Sequence, residues 1–270
     1  MNVLLTTDFS FTSEHAMEFA MELFDPKETH YTLLHVVHIP HAGMVLTKTL
    51  AKEVSDHAHR KLNDLKQHLK NRHPEISLEI TAEIGVFKST VARWVENHDI
   101  HFLVMGTNGT SGIFEKLIGS HTREVVDYIS VPTLVIPMTA PIQKESRILM
   151  AVSDLDFKDR DTIHTYFGGL RTENTSICIY TISDQNVEFR SDSDYVEILP
   201  ESLRSHVTRV VEKRSENLLQ EDQLLTFAEE NNHNLIAVFP QSRNWFQKLL
   251  RRSVTLGALK NSTIPLLIIR

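Results

Sequence analysis

Met105-Gly106-Thr107-Asn108-Gly109-Thr110-Ser111-Gly112-Ile113-Phe114-Glu115-Lys116-Leu117-Ile118-Gly119-Ser120-His121-Thr122 is a glycine-rich stretch set between two different periodicities. Before it, Phe102-Leu103-Val104-Met105 is a continuous apolar run that reads as a buried strand; after it, Thr122, Val125, Val126 and Ile129 recur at helical spacing. A glycine loop therefore leads from a strand into a helix. Glycine leaves no Cβ between backbone amides and a ligand, and the helix start adds unpaired N–H groups and the positive end of its dipole. With the Ser120 hydroxyl alongside, the loop reads as a phosphate cradle. It is not a Walker A loop, since no Gly-Lys-Ser/Thr closes it, and its spacing is not the dinucleotide GxGxxG.

The flanking chain supplies a sheet for this loop to stand on. Val3-Leu4-Leu5 is a short strand ending in Thr6-Thr7-Asp8, and Ser10 or Thr12 can cap a helix with Ala16, Phe19, Ala20 and Leu23 on one face. Tyr31-Thr32-Leu33-Leu34-His35-Val36-Val37 is nearly continuously apolar, the mark of a strand covered on both faces. A helical pattern from about Thr47 to His73 carries Leu50, Val54, Leu62, Leu65 and Leu69 and is stopped by Pro74; Ile76, Leu78 and Ile80 then alternate as a strand. Phe87 to Asn97 reads as a helix with Val91, Trp94 and Val95 inward, and Val131 to Pro137 as a fifth strand. The order βαβαβαβαβ predicts a doubly wound, Rossmann-like α/β domain, whose ligands bind at the carboxyl ends of the strands near the point where strand order reverses. Asp8, Val36 and the glycine loop all lie at such ends.

The pattern then returns. Arg147-Ile148-Leu149-Met150-Ala151-Val152-Ser153-Asp154 repeats the opening strand and its terminal acid, with Asp8 and Asp154 146 residues apart. Ser130-Val131-Pro132-Thr133-Leu134-Val135-Ile136 recurs as Thr263-Ile264-Pro265-Leu266-Leu267-Ile268-Ile269, with the prolines 133 apart, so the second copy is shorter by 13. The missing residues are assigned between the strand Thr175 to Ile182 and the helix Leu224 to Glu230, with Val207 to Val211 as a third strand and Ser191-Asp192-Ser193-Asp194 as a surface loop. At the offset of 133, Gly106, Gly109 and Gly119 become Phe239, Ser242 and Arg252, while Ser120 becomes Ser253. Bulk replaces bare backbone, so two domains are expected, 1–138 with an intact loop and 146–270 with a degenerate one. Trp245, Phe246 and Leu249 would fill the empty mouth or pack against another surface.

The net charge of −7 and the absence of a dense Lys/Arg stripe argue against nucleic-acid binding. No apolar run is long enough to span a bilayer, and Met1 to Asp8 lacks the basic and apolar regions of a signal peptide, so a cytoplasmic protein is expected. Cys178, the only cysteine, lies in an apolar run and reads as a buried structural thiol. His35, His38 and His41 do not share a face, Pro40 bends the path between them, and no metal site is assigned. The missing Gly-x-Ser-x-Gly and the adjacency of Ser120 and His121 argue against a serine hydrolase built on Ser120.

Gly106-x2-Gly109-x9-Gly119-Ser120, preceded by Asp8-Phe9-Ser10 and Leu33-Leu34-His35-Val36-Val37, resembles the universal stress protein family, over nearly the whole chain as a tandem pair. The resemblance implies ATP or AMP binding in the first domain, with Mg²⁺ held by the phosphates together with Ser120 or Thr122. It places Thr7 and Asp8 by the ribose and adenine, Val36 against adenine through its backbone, and Met105 and Gly106 beside the nucleotide. Gly109, Gly119, Ser120, His121 and Thr122 would contact ribose or phosphates. Two residues depart from the family pattern: Thr6 stands where proline is usual, and His121 where a small or aliphatic residue is usual. The resemblance also implies an internal pseudo-dimer through Thr133 to Ile136 and Leu266 to Ile269, with a homodimer of whole chains as a further option and the protein partner unnamed. The function read from it is a stress-responsive, nucleotide-binding regulator with a structural second half. The alternatives are a slow ATPase or self-phosphorylating protein at the same site, for which no base, metal pair or arginine finger is evident, and a nucleotide-free interaction scaffold.

Overall fold

The computed structural model describes residues 1–38, 48–107, 124–126, 128–152, 160–183, 191–214, 220–239 and 264–269. Two compact units result, one of Met1–Met21 with Pro26–Met138 and one of Glu22–Asp25 with Thr139–Arg270. The first contains β1 (Asn2–Thr7), α1 (Phe11–Leu23) as far as Met21, β2 (His30–Val37), α2 (Lys48–Arg72), β3 (Ser77–Ile84), α3 (Phe87–Asn97), β4 (Phe102–Gly106) and β5 (Thr133–Ile136). Its strands pair in parallel in the order β3-β2-β1-β4-β5, so the chain reverses direction of travel between β1 and β4. Helices on both faces explain the nearly unbroken apolar strands. Leu4, Leu34, Leu103 and Met105 meet Val91 and Val95 of α3, and Val125 and Ile129, in one buried cluster.

The second unit contains β6 (Ser146–Val152), α4 (Arg160–Phe167), β7 (Thr175–Ser183), α5 (Asp192–Val196), α6 (Glu201–Arg204), β8 (Val207–Arg214), α7 (Gln220–Glu230), β9 (Leu235–Val238) and β10 (Leu266–Ile268). Its parallel order, β10-β9-β6-β7-β8, is that of the first unit. Single hydrogen bonds recur as well: Leu103 N–H donates to Pro132 C=O in the first unit, and Ile236 N–H to Pro265 C=O in the second. The offset of 133 therefore holds in three dimensions for the last two strands. Among the described residues of the shorter second crossover, the helices are α5 and α6.

Two expectations are corrected. Ser191 to Asp194 is not a plain loop but the start of α5: Ser191 caps it, accepting from the Asp194 N–H, while the Asp194 carboxylate accepts from the Ser191 N–H. The Ser-x-x-Asp spacing carried that signal. The offset of 146 also fails for the opening strand. Val3 pairs with Phe102 and Ile148 with Leu235, which makes β6 the counterpart of β1 at an offset of 145. Counted on in the sequence, that offset meets Ser153 rather than Asp154; both lie outside the described residues.

Glu18 of α1 is a buried carboxylate, held by Arg72 Nη1 at 2.7 Å with His73 Nε2 at 3.7 Å. Arg72→Leu strips that carboxylate of its nearest cation. Because the Arg72 side chain is 57% exposed and water screens it, the expected loss is about 1–2 kcal/mol, below the roughly 3–5 kcal/mol of a fully buried pair. Urea unfolding at neutral pH measures it, and adding Glu18→Gln should restore part of the loss. Among the described residues, no helix is long and apolar enough to cross a membrane.

Candidate functional site

Strand order reverses between β1 and β4, and the residues at their carboxyl ends form the mouth of the candidate site. The β1–β4 register, carried on two residues from Leu5 opposite Val104, brings Thr7 level with Gly106. Thr7, Asp8, Val36, Met105 and Gly106 therefore lie at the ends of three adjacent strands. Gly109, Gly119, Ser120, His121 and Thr122 lie outside the described residues.

A hydrogen-bonded turn builds the β1 exit. Ser10 is the residue that caps α1: its Oγ accepts from the Ser13 N–H at 3.3 Å, and its own hydroxyl donates to Asp8 Oδ1. Asp8 Oδ1 also accepts the Ser10 N–H at 3.0 Å, an Asx turn. Ser13 Oγ donates to Ser10 C=O at 2.8 Å, so the Thr7 hydroxyl 3.0 Å away donates to Ser13 and accepts the Phe9 N–H at 2.9 Å. Asp8 thus does two things at once. It orders the helix start, and it sets a carboxylate at the switch point. A carboxylate offers about four acceptor positions, so the Asx turn does not exhaust it.

Val36 presents backbone rather than side chain. Its side chain packs against the core cluster beside α3. His30 N–H donates to Met1 C=O and Gly85 N–H to Val37 C=O, so the even-numbered residues of β2 face β1 and the odd-numbered ones face β3. The β1–β2 pairing ends at Thr7 opposite His35. A continued ladder would send the Phe9 N–H to Val36 C=O, but that donor is spent on Thr7 Oγ1. The Val36 carbonyl is therefore aimed past the end of β1, into the mouth. Met105 is 4% exposed with its side chain in the core, so it too can meet a ligand only through its backbone.

Gly106 has a reason to be glycine that the sequence did not show. A Cβ there would lie 2.8 Å from both Cγ2 and the carbonyl oxygen of Thr12, in the first turn of α1. Close packing of strand end on helix start excludes a side chain, independently of any phosphate.

Three residues at the mouth were not read as such from the sequence. Phe9 has φ of 63°, a left-handed conformation that is an outlier for a bulky side chain and marks strain held by its surroundings. Its ring lies 4.4 Å from that of His35, tilted 44°, with Lys61 Nζ 4.8 Å from its centroid. His35 Nδ1 is 2.8 Å from Thr7 C=O; a carbonyl only accepts, so Nδ1 carries the proton. A polar residue inside a mostly apolar strand was the available signal for His35; Phe9 was quoted only within the Asp8-Phe9-Ser10 opening, and nothing local announces its left-handed backbone. On the α1–α2 side of Phe9 an open groove of ≈ 340 Å³ is lined by Glu14 and Asp64 as well as Lys61 and His68. Its two carboxylates make it no extension of a phosphate cradle.

Burial holds the His35 imidazole below its ordinary 6.5, against the raising effects of Thr7 C=O and the Asp8 carboxylate; Lys61 adds to the lowering. His233 in the second unit is lowered by burial likewise, its Nδ1 without a hydrogen-bond partner. A folded-state value below the unfolded one means that the unfolded chain binds more protons. This contribution to stability is present above about pH 6.5 and is lost as pH falls below it. Urea midpoints are expected to drop between pH 7 and pH 5.5, and less steeply in His35→Asn and His233→Asn.

The model of the Universal stress protein family matches residues 1–137. The chain is 24% identical over 150 residues to Universal stress protein MJ0577 of Methanocaldococcus jannaschii, covering 50% of this chain and 93% of that one. Among solved structures, a universal stress protein from Archaeoglobus fulgidus superposes with a TM-score of 0.65 at 19% identity, covering 100% of this chain and 96% of its own. A functionally unknown protein, PA1789 of Pseudomonas aeruginosa, gives 0.55 at 11% identity over 99% and 92%. At these identities the structural likenesses speak to the fold alone.

Proposed function

Since this chain belongs to the universal stress protein family, we propose that its first unit binds ATP or another adenine nucleotide at the ends of β1, β2 and β4. The output is regulatory, a change of shape or of partner binding. The observation that carries the proposal is the Val36 carbonyl aimed into the mouth at the place where β1 ends. An inward-facing acceptor suits the exocyclic amine of adenine, and the Asp8 carboxylate at the next strand end suits a ribose hydroxyl. Gly106 leads straight into Gly109, Gly119 and Ser120, whose sequence pattern supplies the phosphate end. Mg²⁺, where present, is held by the phosphates with Ser120 or Thr122. A nucleotide regulates only by binding one conformation more tightly than another.

Among its described residues, the second unit differs at the corresponding positions. In the strand registers Thr181 stands at the position of His35 and Phe239 at that of Gly106, and in the sequence the residue after Val152, the counterpart of Thr7, is Ser153 rather than an acid. It is read as structural.

A nucleotide-free scaffold is the second reading, favoured by Gly106, whose glycine is explained by Thr12 without a ligand. Denaturing release of small molecules from freshly purified protein, quantified by mass spectrometry beside Gly119→Arg, separates the two. One adenine nucleotide per chain, lost in the variant, supports binding. No nucleotide from either protein, with melting unmoved by added ATP, leaves the scaffold.

A further inference from the structure

We propose that His35 is a positioning residue of this site, holding the turn that presents Thr7, Asp8 and Phe9. Its consequence for ligand binding rests on the nucleotide reading above; its structural part rests on geometry alone. Alternation along β2 puts the His35 ring on the face opposite the Val36 side chain. There Nδ1–H donates to Thr7 C=O, immediately before Asp8, while the ring packs on Phe9, immediately after it. The acid is bracketed from both sides by one imidazole. That grip acts where strand pairing has stopped, since the β1–β2 ladder ends at Thr7 opposite His35. It also acts on the residue that needs holding, because Phe9 keeps its left-handed φ only while its surroundings impose it. The second unit has Thr181 at this register position and so no imidazole there.

The test is a set of three substitutions in the full chain. Asn carries an N–H donor at the same bond distance from the backbone as Nδ1, Gln carries it one carbon further out, and Leu carries none. The readouts are hydrogen exchange at the Phe9 and Ser10 amides without nucleotide, and ATP affinity by calorimetry. His35→Asn keeps the donor but not the ring against Phe9, so it should fall between the parent and the other two, whereas His35→Gln and His35→Leu should exchange at least about tenfold faster and bind ATP at least about tenfold more weakly. The proposal is overturned if the Leu variant keeps parental exchange, if exchange quickens while ATP affinity is unmoved, or if Asn loses as much as Gln. Should the Leu variant fail to fold, the Asn and Gln pair decides. If the parent protein binds no ATP, the nucleotide reading falls, and the exchange measurement alone still decides whether His35 holds the turn.

Discussion

Gly106→Ala is expected to destabilise the first unit by about 1–3 kcal/mol, the usual cost of forcing atoms into a packed interior. The added Cβ would meet Thr12 at 2.8 Å on both its methyl and its carbonyl oxygen, and at 3.1 Å on its carbonyl carbon. The methyl could rotate away; the carbonyl belongs to the first turn of α1 and moves only if the helix does. Displacing that turn pulls on Ser10, Ser13 and Asp8, which are tied to it by hydrogen bonds. Thr12→Ser removes the methyl and leaves the carbonyl, so the double variant should recover only a part of the loss in urea unfolding. A Gly106→Ala protein within about 0.5 kcal/mol of the parent, the range of an ordinary surface change, would mean that strand and helix yield there. The glycine would then need a ligand to explain it. In the expected case, weaker ATP binding by this variant does not by itself show contact with phosphate, which is why Gly119→Arg is the better probe of the loop.

The same residue shows where reading the sequence stops. Periodicity is local, and local signals placed the strands of the first unit, the helix Phe87–Asn97 and the convergence of Asp8, Val36 and Gly106 on one edge, while the strand Leu235–Val238 of the second unit went unread. Gly106 was legible as a glycine at a strand end, but its neighbour Thr12 is far away in sequence and meets it only after β1 and β4 pair. His35 was weighed as a metal ligand because imidazoles cluster nearby; its partner, Thr7 C=O, is a backbone atom with no sequence signature. The displaced register of Asp154 has the same origin. An acid after an apolar run looks alike at either of two adjacent positions, and only the pairing of β6 with β9 distinguishes them.

ATP is expected to raise the melting temperature of the parent chain and to leave Gly119→Arg unmoved. A ligand that binds only the folded state stabilises it by about 2.7 kcal/mol at a concentration one hundred times its dissociation constant, which for a domain of this size corresponds to a shift on the order of 10 °C. The arginine places a long side chain where the loop needs bare backbone, as Arg252 does at the aligned position of the second unit. The asymmetry between the units can be tested in the opposite direction. If Phe239 alone blocked the second site, Phe239→Gly would open it and calorimetry would count two nucleotides per chain. The register argues for one, because glycine at 239 does not restore the imidazole of His35, replaced by Thr181, and in the sequence the residue after Val152 is Ser153 rather than an acid. A count of two in Phe239→Gly would show that a bare strand end suffices and that Asp8 and His35 are dispensable. A count of one, with the parental melting shift, would place the difference between the units in the whole constellation around the β1 exit.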